Sequence, residues 1–308
     1  MALLLQVTRD SRPFVDEFRR QMPDLEVRVW PELGNPEDIE FAAVSRIPAG
    51  QLSRLPNLRL VISMLAGVEH LVDNPEIPPG IPIVRSGTPD GDRMITEYVL
   101  LHVLRHHRQM PAYAVQQSQS LWKNLPQPPA EARSVGFLGL GLLGLAAAKA
   151  VRDHGFRVLA WTRSPREVEG IDCHHGDDAL SGFLARTEIL VNLLPATPET
   201  EGIVNAGFLA QLPKGAQFIN IARGQHVVDA DLLAALDSGQ LAGATLDVFH
   251  QEPLPAASPL WRHPLVTVMP HAARKLFPGD SVPSIVENIR RFRSGQPLLM
   301  PVDRQRGY

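Results

Sequence analysis

A glycine-rich turn between a strand pattern and a helix pattern constrains this chain more than any other feature. The apolar run Val135–Leu138 leads into Gly139-Leu-Gly-Leu-Leu-Gly144, and Leu142–Val151 then repeats apolar residues at helical spacing. In such a unit Gly139 can turn tightly, Gly141 lets backbone approach a pyrophosphate, and Gly144 permits close packing of helix on sheet. The helix N-terminus, opening with Leu142 and Leu143, adds free N–H groups and a positive dipole end. The turn alone would fit an ordinary α/β core; in this strand–helix context it reads as a dinucleotide site.

The same alternation runs almost throughout. Leu3–Thr8, Glu26–Trp30, Phe41–Ser45, Leu58–Leu65 and Ile81–Arg85 read as strands, with helical spacing over Pro13–Met22 and Ala49–Leu55. A long helix is predicted from Arg93, interrupted or kinked at Pro111. A second series follows, with strands at Ser134–Leu138, Arg157–Trp161, Ile189–Leu194, Gln217–Ile221, Ala244–Val248 and Val266–Met269. Helices fit at Leu142–Asp153, Asp229–Ser238 and Ser284–Arg293, the last with Pro283 at or just before its start. This predicts an α/β protein of two doubly wound parallel-sheet domains. The cofactor domain, 99–273, is inserted into a split substrate domain formed by 1–98 and 274–308.

Composition narrows the function classes. Thirty basic against 33 acidic residues in 308 give a formal charge of −3, which makes no case for nucleic acid or an anionic membrane. The one cysteine, Cys173, fits a reducing compartment. No apolar run approaches the ~18 residues of a membrane span, and the start of the chain lacks a signal-peptide pattern. A cytoplasmic protein is expected.

The next strand bears on cofactor choice. An acid about 20 residues beyond the glycines would bond a ribose 2′-hydroxyl. Here the strand ends Trp161-Thr-Arg-Ser-Pro-Arg166, without one. Arg163, and Arg166 if it reaches, can pair with a 2′-phosphate, and Thr162 or Ser164 adds a hydroxyl donor. This favours NADP, NADH remaining possible; the alternative is a pair of solvated loop arginines.

Three residues far apart in sequence suggest the chemistry: Arg223 in Ile-Ala-Arg-Gly, Glu252 in Gln-Glu-Pro, and His271 in Met-Pro-His. Each follows a predicted strand, and in an open α/β sheet such ends face the ligand crevice. A guanidinium there can hold a carboxylate bidentately and polarise an adjacent keto oxygen. Reducing a ketone requires a proton as well as a hydride, and His271 is a suitable acid, its ring fixed by Glu252.

With these stretches in hand, the chain resembles the D-2-hydroxyacid dehydrogenase family over that family's whole length. Phe137–Gly144, Asn192–Gly202, Asn220–Gly224, Leu246-Asp-Val-Phe249, Glu252-Pro-Leu254 and Pro270-His271 carry the resemblance. Trp161-Thr-Arg-Ser164, Ser258-Pro-Leu-Trp261 and Val302–Tyr308 make it most similar to the glyoxylate/hydroxypyruvate reductase A group. The resemblance implies a Rossmann domain inserted into a split flavodoxin-like domain, a homodimer, and reduction of small 2-oxo acids such as glyoxylate and hydroxypyruvate. It assigns Arg223 to the substrate carboxylate and Glu252 with His271 to proton transfer. It places Met94, Leu194, Pro195, Thr200, Ala222 and Asp247 along the cofactor, and Leu65, Ala66 and Gly67 at the substrate carboxylate.

The chain departs from the family at Leu65, Glu69, Ser45-Arg46 and Ala272-Ala-Arg-Lys-Leu276. Arg46, Arg274 and Lys275 would make the pocket more cationic and favour a larger or second acidic group, unless they point to solvent. A dehydrogenase of larger or dianionic 2-hydroxy acids is therefore one alternative, and a non-catalytic dinucleotide-sensing protein another. No metal is expected: His102, His106 and His107 share a helix without a further ligand, so a dimer-facing or exposed helix suffices. Asp172–Asp178 reads as a solvated connection.

Overall fold

Short apolar strands alternating with helices close into two separate parallel sheets in the computed structural model, which describes residues 1–87 and 93–307. The chain divides into Met1–Pro89 with Lys275–Tyr308, and Asp90–Arg274.

The first unit begins with β1 (Ala2–Gln6), α1 (Arg12–Gln21), β2 (Glu26–Val29), β3 (Ile39–Val44), β4 (Leu60–Ser63), α2 (Glu69–Val72) and β5 (Ile83–Arg85). Its strands lie in the order β2-β1-β3-β4-β5. Every residue of β1 is buried, as expected of a parallel sheet covered on both faces. Leu3, Leu5, Phe41 and Ile62 pack one face with Phe14 and Phe18 of α1. Leu4, Ala42 and Val61 pack the other with Leu52 and Leu71.

The second unit runs α3 (Arg93–His107), α4 (Met110–Ser118), β6 (Ser134–Leu138), α5 (Leu142–Asp153), β7 (Arg157–Thr162) and β8 (Ile171–His175). It continues through α6 (Leu180–Leu184), β9 (Ile189–Asn192), α7 (Ala206–Leu209), β10 (Ala216–Asn220), α8 (Asp229–Asp237), β11 (Leu241–Leu246) and β12 (Val266–Val268). The strand order is β12-β11-β10-β9-β6-β7-β8. From β6 the chain builds outward to β8, then returns to β9 and builds the other way. That reversal makes a topological switch point between β6 and β9, where a crevice opens beyond the strands' carboxyl ends. The register aligns those ends: Trp161, Leu138, Asn192, Asn220, Leu246 and Val268 form one row of partners across six strands. The last helix, α9 (Pro278–Arg293), belongs to the first unit and adds Val282, Ile285, Val286 and Ile289 to its core.

Several sequence expectations change. A boundary at 98/99 would cut α3, which lies whole in the second unit because Ile95, Val99 and Val103 share a core with Val135 and Phe137. The second junction falls after Arg274, one residue beyond the expected one. Asp172–His175, read as part of a solvated connection, belong to the edge strand β8, whose one neighbouring strand among the described residues is β7. Ala49–Leu55 yields just the 3-10 turn Leu52–Arg54. There Glu76 takes the amide protons of Leu52 at 2.8 Å and Ser53 at 3.1 Å, satisfying donors that a longer helix would use internally.

Helix α9 starts at Pro278, with Pro283 inside it. Pro283 and Gly279 both face solvent, so the carbonyl deprived of its usual donor is not trapped in the core. His102, His106 and His107, expected on an exposed or partner-facing surface, are buried. His106 Nε2 lies 2.9 Å from Thr245 Oγ1 on β11, and the His107 ring meets Phe156 edge-on. Burial lowers the imidazolium affinity of His102 and His106, to pKa values of about 4 and about 3.

Candidate active site

The glycine turn follows β6 at the switch point. Gly139 adopts φ +92°, and a Cβ on Gly144 would overlap the Gly139 carbonyl, so both positions require glycine. A Cβ on Gly141 would meet nothing within 4 Å. The outer side of the turn is thus open just where Gly141 begins α5, whose N-terminus has no side-chain cap among the described residues. This arrangement fits a pyrophosphate, which takes hydrogen bonds from uncapped helix amides.

Across the switch point, β9 delivers Leu194 and Pro195, and a buried polar network fixes them. Asn192 Oδ1 accepts from the Leu194 amide at 3.2 Å, while its Nδ2 lies 3.0 Å from His226 Nδ1 and 3.1 Å from Asn220 Oδ1. His226 Nε2 reaches the Pro195 carbonyl at 3.2 Å, and Thr200 donates to the same carbonyl at 2.8 Å. With Nε2 donating, Nδ1 is the acceptor, so the neutral tautomer satisfies both contacts. Asn220 continues the network, accepting from the Ala222 amide at 3.2 Å and donating to the Arg223 carbonyl at 3.0 Å. The Leu194–Pro195 backbone and the Arg223 turn are therefore parts of one hydrogen-bonded assembly. Asn192 and Asn220 lay inside quoted motifs without an assigned role; His226 carried no such signal.

At the end of β7, Arg163 and Ser164 are exposed, and Thr162 directs its hydroxyl to the Ser164 carbonyl at 2.8 Å. Arg163 Nη2 lies 3.6 Å from Glu199 Oε2, a pair more than half exposed on both sides. Arg166 donates to the Leu140 carbonyl in the glycine turn.

Strands β10, β11 and β12 are neighbours, and their carboxyl ends carry the other site residues. Arg223, three residues past β10, is half-buried, and its Nη1 donates to the Ala222 carbonyl at 2.7 Å. The next residue brings this turn against the loop after β11: a Cβ on Gly224 would overlap the Phe249 and His250 backbone. Within that loop Glu252 Oε1 accepts from the Phe249 amide at 3.0 Å. Its other oxygen lies 2.6 Å from His271 Nδ1. This bond occupies Nδ1 and leaves Nε2 as the ring atom able to exchange a proton with a bound ligand.

His271 has φ +50°, an uncommon conformation for a residue with a side chain. Asp247, one residue past β11, is fully buried: its carbonyl accepts from the His271 amide at 2.9 Å, and its carboxylate from the Ala272 and Ala273 amides at 2.7 and 3.1 Å. Met94 lies in the first turn of α3 and is half-buried. Tyr98, one turn further on, donates to Asp247 Oδ1 at 2.8 Å. Sequence periodicity gave it no role.

In the first unit, Leu65, Ala66 and Gly67 follow β4, and Arg46 follows β3, at the carboxyl edge of that sheet. Ser63 Oγ bonds the Leu65 carbonyl at 2.9 Å, and the Arg85 Nε donates to the Ala66 carbonyl at 3.0 Å. Arg46 and Lys275 are exposed, and Arg274 is half-buried. No metal-holding group of three or more His, Cys, Asp or Glu occurs among the described residues.

Comparison with known proteins places the chain in a family. Residues 100–273 match the family model of the D-isomer specific 2-hydroxyacid dehydrogenase, NAD binding domain. A glyoxylate/hydroxypyruvate reductase A from Yersinia enterocolitica is 36% identical over 304 residues, with 97% of each chain covered. A D-isomer specific 2-hydroxyacid dehydrogenase from Xanthobacter autotrophicus Py2, solved with NADPH and MES, superposes with TM-score 0.95 at 44% identity, covering 100% of this chain and 99% of the other. An NADPH-dependent glyoxylate/hydroxypyruvate reductase from Sinorhizobium meliloti, solved with NADP and sulfate, gives 0.92 at 36% identity, with 100% and 99% covered. The chain belongs to the D-isomer specific 2-hydroxyacid dehydrogenase family.

Proposed function

We propose that this protein is an NADPH-dependent reductase of small 2-oxo acids, glyoxylate and hydroxypyruvate among them. The observation that carries the reading is the 2.6 Å His271–Glu252 bond, on the sheet edge that also holds Arg223 and the glycine turn. A family that transfers hydride to a keto carbon requires a proton donor for the oxygen, and a binding protein does not. The Xanthobacter and Sinorhizobium structures, which hold NADPH and NADP, support the cofactor assignment.

In this reading the bound nicotinamide supplies a hydride to the keto carbon. Arg223 holds the substrate carboxylate and polarises the carbonyl. His271 delivers a proton to the oxygen through Nε2, while Glu252 holds Nδ1 and so fixes the ring. Leu65, Ala66 and Gly67 present backbone amides to the carboxylate. Gly139, Gly141, Leu142, Leu143 and Gly144 receive the pyrophosphate; Met94, Leu194, Pro195, Thr200, Ala222 and Asp247 line or support the nicotinamide end. Arg163, with Thr162 and Ser164, forms the 2′-phosphate corner. Exposed Arg46 and Lys275 support a second reading, a larger or dianionic 2-oxo acid.

The protein is also inferred to be a cytoplasmic homodimer. Its lone Cys173 is an unlinked thiol, which suits a reducing compartment, and no described helix is long and apolar enough to cross a membrane. Leu101, Met110, Leu121 and a fully exposed Trp122 give the region from α3 to just past α4 an apolar surface suited to a second copy.

The test follows reduced-nicotinamide absorbance with NADPH and NADH against glyoxylate, hydroxypyruvate and bulkier 2-oxo acids. Turnover of the small acids with NADPH preferred is the expected result. Turnover of bulky or dianionic acids alone transfers the assignment to the second reading. NADPH binding without turnover of any acid removes the reductase assignment.

A further inference from the structure

Three successive amides, those of His271, Ala272 and Ala273, all donate to Asp247: the first to its carbonyl and the others to its two carboxylate oxygens. A turn held this way does not take its shape from local preference. His271, at φ +50°, sits in a region that residues with a Cβ avoid. The direction in which its imidazole leaves the backbone is thus set by the buried acid beneath it.

That acid has a further donor, the hydroxyl of Tyr98, 2.8 Å from the same Oδ1 that receives the Ala272 amide. Tyr98 rides on α3, whose Ile95 and Val99 are packed in one cluster with Ala273. Helix and turn are therefore joined both by apolar contact and by the phenol–carboxylate bond. Tyr98 also meets His102 edge-on, with ring centroids 4.4 Å apart, which fixes the plane of the phenol. Burial, followed by the hydrogen bond to Asp247, pushes the Tyr98 hydroxyl well above its ordinary pKa. It stays a neutral donor throughout the neutral range, and a bond from such a donor to a carboxylate is among the stronger kinds.

We propose that Tyr98 is a positioning residue for proton transfer: by holding Asp247 it sets the turn from which His271 meets Glu252. The inference rests on the role given to His271 under the proposed function. Tyr98 itself need touch neither substrate nor cofactor. Its removal disturbs the delivery of the proton while the glycine turn and the Arg163 corner remain intact.

Tyr98→Phe deletes only the hydroxyl and keeps the ring against His102. In this variant kcat should fall about 10- to 100-fold, as small misplacements of a catalytic group do. KM and the NADPH dissociation constant, read from nicotinamide fluorescence, should stay within about threefold, and the solvent deuterium isotope effect on kcat should rise. Wild-type kcat and isotope effect in the folded variant overturn the proposal. So does a loss of rate matched by an equal loss of NADPH binding, which is what general loosening of the unit would produce.

A second readout needs no turnover. With ring-nitrogen-labelled histidine, the His271 Nδ1 resonance should shift in Tyr98→Phe, while that of His226 should not. An unmoved His271 signal also overturns the proposal. Should the wild-type protein reduce no 2-oxo acid, the proposed function fails by itself, and the resonance still decides whether Tyr98 sets the turn.

Discussion

At one corner of the seven-stranded sheet, Asp247 is fully buried beneath the His271 turn and Glu252 meets the imidazole at 2.6 Å. At the other, Arg163 and Glu199 face solvent 3.6 Å apart. Under the proposed function the two corners serve different physical demands. Proton transfer depends on heavy-atom separations within a narrow range and on direction. Attraction of a phosphate dianion by a guanidinium falls off gently with distance and tolerates a mobile side chain. The fold spends buried hydrogen bonds on the first corner and leaves the second to surface charge.

The largest effect that would sharpen this contrast lies in the acid itself. His271→Ala should lower kcat by about 10²- to 10⁴-fold, the usual worth of a general acid, with NADPH binding unchanged; unaltered turnover removes His271 from the chemistry. Arg223→Lys comes next, at about 100-fold in kcat/KM, because an ammonium cannot reproduce the planar fork. A substitution that raises KM alone would assign Arg223 to binding and not to polarising the carbonyl.

Third is the buried imidazole pair of α3. His102 and His106 are held neutral, with pKa values of about 4 and about 3. The unfolded chain takes up these protons as pH falls below about 6.5, while the folded one does not. Each ring's stabilising contribution is therefore whole above that pH and declines toward 4, by on the order of 3 kcal/mol. Urea titrations at pH 7 and pH 5 should show the loss, and His106→Asn should flatten it. A midpoint independent of pH would mean the helix stripe admits protons after all.

The smallest effects belong to the exposed corner. Arg163→Ala should weaken NADPH binding about 10-fold while leaving NADH nearly unchanged. Glu199→Gln frees Arg163 from a surface ion pair of little strength, so NADPH should bind about two- to threefold tighter. Equal losses for both cofactors in Arg163→Ala would break the comparison by showing that this corner too is structural.

Legibility in the sequence followed the same division. Arg223, Glu252 and His271 could be read because each follows a strand within a distinctive local motif. The strand row and the switch point were implied by the alternation of elements. The polar stripe on α3 was not readable. Tyr98, His102 and His106 recur every fourth residue and look like an exposed helix face; only the sheet topology reveals Thr245 on β11 and Asp247 just past it as partners for two of them. Strand β8 was hidden for the opposite reason. As an edge strand with half-exposed side chains it needs few apolar residues, and Asp-Cys-His-His has the polarity of a loop. Pro283 misled because its penalty depends on which side of the helix faces water, which a linear pattern does not show.

Helix α9 carries a consequence for biosynthesis. It supplies Val282, Ile285, Val286 and Ile289 to a core whose strands all come from the opening third of the chain. On the ribosome those strands must wait, one hydrophobic face covered only by the part of it that α1 reaches, until nearly the whole polypeptide has been made. Every strand of the inserted unit has by then been synthesised. A nascent chain stalled with residue 277 just clear of the exit tunnel should therefore resist protease across the inserted unit while its first strands are still cut. Equal protection of both would mean that the early sheet finds another cover while it waits.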